Sequence, residues 1–195
     1  RSHAAMLVVP KMTGKQVASF IEQHPRVVAL KPYYTLCEEA HPSITDYLPE
    51  AHMEVANAHG LAIVLHLPNE QRARSLDELA CWAKKFPRIR WILAHCAACF
   101  ASGQLAGIVD RLGGIPNAWY DTAGITIPET LALLLKQVGY ERILFGTDNA
   151  LVLGGCRRGP RLGDIKLAFP DKFSDLCAFS CHRQLLALRQ ACEQT

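Results

Sequence analysis

Short apolar runs alternate with helix-length amphipathic stretches along the chain, and the alternation repeats six times. The first run, residues 5–9, stops at Pro10. Thr13 then reads as an N-cap with Gln16 three residues on, which predicts a helix reaching about Gln23. The second run, residues 27–31, is broken by Pro32 and followed by a loop over residues 33–43. A helix is expected from Thr45 or Asp46 to His59, with Gly60 as its C′ residue. The third run, residues 61–67, is apolar at nearly every position, as in a strand buried on both faces. Ser75 reads as the cap of the next helix, which carries Leu76, Leu79, Ala80 and Ala83 on one face and ends at Pro87. Residues 90–95 form the fourth run, followed by a helix around residues 105–112 that Gly113 and Gly114 stop. The fifth run is residues 118–121, and Pro128 opens a helix over residues 129–138 that Gly139 closes. The sixth is residues 142–148. A glycine-rich loop follows, and a last helix runs from about Phe173 to Cys192.

Consecutive strand–helix pairs with continuous apolar strands predict a parallel sheet covered by helices. Right-handed crossovers leave a doubly wound open sheet or a barrel. Neither G-x-G-x-x-G nor G-x-x-x-x-G-K-[ST] follows any strand, which removes the usual reason for a nucleotide-binding sheet and favours the barrel. The expected fold is α/β of the (β/α)8 TIM-barrel type. A complete barrel takes about 250 residues, so these 195 residues predict an incomplete one of six β/α units in a single domain, residues 1–195.

Composition narrows the function without naming it. The chain is 50% hydrophobic and 20% charged, with net charge +3 from 21 basic and 18 acidic residues, which makes no basic stripe for nucleic acid. No apolar run approaches the ~18–20 residues needed to cross a bilayer. The start, Arg1-Ser2-His3-Ala4-Ala5, has neither an initiator Met nor a signal-peptide core. Eight cysteines, several within apolar runs, predict free thiols in a reducing, cytoplasmic compartment. Cys96 and Cys99 together with Cys177, Cys181 and His182 form an alternative zinc set, against which their apolar neighbours and wide separation argue.

The chemistry gathers where the strands end. In a parallel α/β fold the catalytic groups lie at the carboxyl ends of strands. Here those ends carry Lys31, His66, His95, Asp121 and Asp148. One histidine at the end of an apolar strand is usually a satisfied core residue. Ionisable groups at equivalent positions of successive strands are hard to explain as packing accidents, because each is costly unless paired, hydrogen-bonded or metal-bound. On adjacent strands His66 and His95 would project toward one axial space, with Asp148 facing them across a barrel. Two imidazoles and a carboxylate suit Zn²⁺ or a similar divalent ion, which acidifies water and polarises carbonyls. Asp148 could also accept the proton of that water.

Five segments carry a resemblance: residues 30–33 (Leu-Lys-Pro-Tyr), 62–66 (ending in His66), 91–95 (ending in His95), 119–122 (Trp-Tyr-Asp-Thr) and 143–148 (ending in Asp148). In this order the chain resembles the metal-dependent amidohydrolase superfamily, in its amidohydrolase-related branch, over residues 6 to 150. Residues 43–50 look like the same branch. The resemblance implies that His66 ligates metal and that Asp148 ligates metal and shuttles the proton of the attacking water. It implies that His95 binds a second metal or polarises the substrate, giving Asp148 and His95 the catalytic roles. Lys31 falls where some members carry a bridging lysine, and it otherwise meets a substrate carboxylate or is structural. Tyr33, in the loop after the second run, reads as a substrate contact or as solvated loop. The implied reaction is attack of metal-activated water on an amide, ester or lactone carbonyl of a small molecule, or the related non-oxidative decarboxylation.

One departure is large. The family's first strand carries His-x-His, and no two histidines here are spaced by two. The six strands then correspond to the family's third to eighth, so a fragment with an incomplete metal site and two open sheet edges is expected, and open edges invite homo-oligomers. The alternatives are a non-catalytic remnant or binding module, and a thiol-redox protein using Cys96 and Cys99 at a helix N-terminus. His24, His52 and His59 read as helix-end or surface residues. Tyr34, Arg157, Arg158 and Arg161 read as substrate contacts or solvated loop.

Overall fold

Six strands make one sheet in sequential order, β1 (Ala4–Val8), β2 (Val27–Pro32), β3 (Ala62–Leu65), β4 (Arg90–Leu93), β5 (Ala118–Asp121) and β6 (Ile143–Leu144). The computed structural model describes residues 2–37, 39, 42–148, 156–158, 165–167 and 174–195, the backbone alone for 156–158, 165–167 and 174–183. The ladders from β1 to β4 and from β5 to β6 are parallel. This is the α/β architecture of an incomplete barrel expected from the repeating pattern.

Between the strands run α1 (Gly14–Gln23), α2 (Ile44–Tyr47), α3 (Glu50–His59), α4 (Arg72–Lys85), α5 (Ser102–Ala106), α6 (Val109–Leu112) and α7 (Pro128–Val138). A short antiparallel pair, β7 (Cys156–Arg158) with β8 (Ile165–Leu167), lies in the stretch read as loop, and α8 (Ser174–Glu193) is the last helix. Arg157 and Arg158 therefore belong to a strand. Arg161 and the side chains of Cys177, Cys181 and His182 lie outside the described residues.

The chain forms two units, Arg1–Leu93 with Gly114–Trp119, and Ala94–Gly113 with Tyr120–Thr195. In the first, strand alternation sorts the side chains onto two faces. Met6, Val8, Leu30, Ile63, Leu65, Trp91 and Leu93 make one buried face. The buried rows of α1 (Val17, Ile21), α3 (Met53, Ala56) and α4 (Leu76, Leu79, Ala83) supply its cover. The opposite face is more open: Leu7 is 54% exposed, and its ladder partner Lys31 is half-buried, as are Val64 and its partner Ile92. The near-continuous apolar pattern of residues 61–67 predicts burial on both faces; the structure buries one fully and the other in part.

Local chemistry accounts for most boundaries. Thr13 caps α1 with the expected box: the Gln16 N–H donates to Thr13 Oγ1 at 3.2 Å and the Thr13 N–H donates to Gln16 Oε1 at 2.8 Å. Gly60 ends α3 in the left-handed region, with φ 63°. The helix expected up to His59 is two helices, because Leu48 and Pro49 intervene; proline denies α3 an amide at its cap and α2 a continuation. Ser75 is not the cap of α4. A 3₁₀ turn over Asn69–Gln71 has already wound the chain after Pro68, and Ser75 is buried inside the first helical turns. His52 is a core residue rather than a surface one, fully buried and hydrogen-bonded through Nε2 to the Met12 carbonyl at 2.7 Å. His24 is the helix-end residue expected, its ring stacked on Phe20 and its Nδ1 2.8 Å from the Phe20 carbonyl.

Candidate active site

The site is built where β4, β5 and β6 end. After Leu93 the chain enters a left-handed turn: His95 (φ 56°, ψ 49°), Cys96 (φ 51°, ψ 48°), Ala97 (φ 59°, ψ 42°) and Ala98 (φ 60°). The Cys99 N–H closes it on the His95 carbonyl at 2.9 Å. L-residues avoid this region at about 1–2 kcal/mol each, and it is normally visited singly. The fifth non-glycine residue with positive φ among the described residues is Asp148, at 52°. Both His95 and Asp148 thus hold unusual backbone conformations, of a kind that clusters at functional sites. Nothing in the helical spacing of this region announces the turn; its one signal is the run of small side chains in Cys96-Ala97-Ala98-Cys99.

His95 is buried, and its Nδ1 donates to the Ala123 carbonyl at 2.8 Å. A carbonyl only accepts, so the neutral ring carries its proton on Nδ1 and its lone pair on Nε2. Nε2 lies 3.9 Å from Asp148 Oδ2. That is too long for a hydrogen bond, and close to the ~3.4 Å between two donors that each bind a zinc ion at ~2.1 Å. The donor chemistry therefore fits a divalent cation held by the pair. Asp148, with 29% of its side chain exposed, reaches solvent from this position, whereas His95 at 8% hardly does. Phe100 tilts against the His95 ring, centroids 5.4 Å apart.

Asp121, at the end of β5, accepts the His95 N–H at 2.9 Å and the Ala123 N–H at 3.0 Å, both on Oδ1. The Thr122 N–H donates to Leu144 of β6 at 3.0 Å, and the Gly146 N–H to Thr122 Oγ1 at 3.4 Å, which ties the segment leading to Asp148 to the same loop.

The remaining candidates belong to the other unit. Lys31 Nζ stands 4.9 Å from the centre of the Tyr33 ring, a cation–π distance. His66, following β3, meets the edge of Tyr34 at 5.7 Å, and Tyr34 in turn meets Tyr47 at 6.3 Å. The structure thus joins His95 with Asp148, Lys31 with Tyr33, and His66 with Tyr34. Among the described residues no group of three or more His, Cys, Asp or Glu side chains is placed to hold a metal ion.

The thiol-redox alternative meets a direct objection. Cys96 and Cys99 are in no disulfide and are fully buried. Burial pushes the Cys96 thiol well above its ordinary value, and the Asp121 carboxylate adds to the effect. A reactive cysteine needs the opposite shift and an exposed sulfur. The two cysteines also sit in a left-handed turn, not at the start of a helix, so the expected pKa-lowering dipole is missing.

The family model described as amidohydrolase matches residues 18–170, well over half of the chain. Among curated proteins none is significantly similar in sequence. Solved structures are similar in fold. The 4-oxalomesaconate hydratase of Rhodopseudomonas palustris has a TM-score of 0.57 at 13% identity, over 98% of this chain and 67% of that one. An amidohydrolase from Burkholderia multivorans with bound HEPES has a TM-score of 0.57 at 12% identity, over 92% and 62%. The 2,6-dihydroxybenzoate decarboxylase from Rhizobium has a TM-score of 0.53 at 17% identity, over 75% and 59%. The chain spans between 59% and 67% of the length of these structures. Among the described residues, no helix is long and apolar enough to cross a membrane.

Proposed function

The chain belongs to the amidohydrolase family, and from that premise we propose that it carries part of the machinery of a metal-dependent hydrolase or decarboxylase acting on a small molecule. The observation that carries the reading is the His95–Asp148 pair: an imidazole whose proton is held on Nδ1 presents Nε2 to a carboxylate 3.9 Å away. By resemblance His66 is a further ligand. A divalent ion, zinc by preference for this donor set, supplies Lewis acidity when bound and lowers the pKa of water toward about 7. The protein's own residues do the rest. Asp148, partly solvated, accepts the proton released as water attacks a carbonyl. His95, fixed by the Ala123 carbonyl, keeps Nε2 directed at the same space. Lys31 and Tyr33 offer a cation and a ring for a substrate carboxylate and its carbon skeleton.

Metal analysis of the purified protein tests this. Zinc is expected to bind and to be lost in His95→Ala and Asp148→Asn, with His66→Ala weakening it. Ester or lactone hydrolysis, or decarboxylation of an aromatic acid, should then fall with chelator and return with zinc. Wild-type metal content in both His95→Ala and Asp148→Asn would sink the reading. A second reading is a binding module that keeps the scaffold without turnover. It predicts substrate-analogue binding with no turnover in the presence of zinc.

A further inference from the structure

Asp121 does more than end a strand. Its Oδ1 accepts the N–H of His95 at 2.9 Å and of Ala123 at 3.0 Å, and the Ala123 carbonyl accepts from His95 Nδ1 at 2.8 Å. These contacts form one closed circuit, so the loop after β5 grips His95 by its backbone and its ring together. The residue gripped opens a left-handed run of four non-glycine residues, which persists only where its surroundings over-determine it. A carboxylate accepting two N–H groups is a strong local restraint. A strand-end cap alone would need the Ala123 contact and not the one to His95.

We propose that Asp121 is the positioning residue of this site: it holds the left-handed turn and, through Ala123, selects the His95 tautomer that turns an Nε2 lone pair toward Asp148. Its consequence for turnover rests on the hydrolase reading above; its test does not. Asp121 acts through the His95 N–H and Ala123.

The test uses the full chain, metal-free, at one pH where imidazole is neutral. With ¹⁵N-labelled histidine, His95 should show the Nδ1–H tautomer in the wild type and a mixture in Asp121→Ala. Labelling of the buried Cys96 and Cys99 thiols should accelerate about tenfold or more in Asp121→Ala, as the turn opens locally. Asp121→Asn keeps an acceptor oxygen and should restore both readouts. Leu131→Ala, a cavity at a buried position of α7, should lower the melting temperature and leave the tautomer unchanged. The proposal is overturned by a wild-type tautomer and labelling rate in Asp121→Ala, or by the same tautomer change in Leu131→Ala. If Asp121→Ala fails to fold, hydrogen exchange in the wild type decides: protected His95 and Ala123 amides support the restraint, and unprotected ones overturn it. A wild type that binds no zinc would remove the hydrolase reading and leave each of these results standing.

Discussion

At the scale of single residues, backbone conformation and side-chain chemistry coincide. His95 and Asp148 are of the residue types that tolerate positive φ best among non-glycines. Cys96, Ala97 and Ala98 are not of those types, and their small side chains are what the turn can hold. Ala97 is fully buried with φ 59° and ψ 42°. A β-branched side chain there meets both backbone strain and crowding, so Ala97→Val should destabilise by about 2–4 kcal/mol, read from urea unfolding. Gly139 isolates the backbone component. Its φ of 78° and ψ of 156° belong to a region that is essentially glycine's own, and a Cβ there meets nothing within 4 Å. Gly139→Ala should therefore cost about 1–3 kcal/mol by strain alone. A neutral result would mean that the turn relaxes freely.

At the scale of elements, short-range chemistry sets most boundaries and position on the sheet sets the rest. The capping box of α1 pairs residues three apart, so it can be read from Thr13 and Gln16 without knowing the fold. Thr13→Ala should lower stability by about 1 kcal/mol, visible as a drop in the urea midpoint, while Thr13→Ser should retain most of it. Where the reading of the sequence fails, a neighbouring structure has intervened. The 3₁₀ turn after Pro68 winds α4 early, and Gly107 and Ile108 divide the helix expected over residues 105–112 into α5 and α6. β6 is only Ile143–Leu144, so Asp148 is delivered by a loop and not by a strand end.

At the scale of the molecule, buried phenols make the fold sensitive to alkali. Tyr47 and Tyr120 are both buried, and desolvation raises each phenol above its ordinary value of 10.0; Glu78 adds to the shift at Tyr47. An acid whose pKa is raised on folding leaves stability unchanged below its unfolded pKa and loses it as pH rises above that value. The contribution of these two phenols to the unfolding free energy should hold level up to about pH 10 and fall beyond it. Ultraviolet titration should show these two phenolates appearing in one step with loss of the near-ultraviolet circular dichroism; their appearance ahead of unfolding would contradict the assignment. The sequence by itself determined the alternation of six strands with helices, most of their limits and the presence of ionisable residues near the strand ends. Those features follow from periodicity and from contacts three or four residues apart. Only the tertiary structure decided that His95 stands in a left-handed turn, that Asp121 and Ala123 hold it there, and that Asp148 faces its Nε2. Each of those facts depends on hydrogen bonds between residues 26 or more positions apart or on strain that distant neighbours sustain, and no local pattern encodes either.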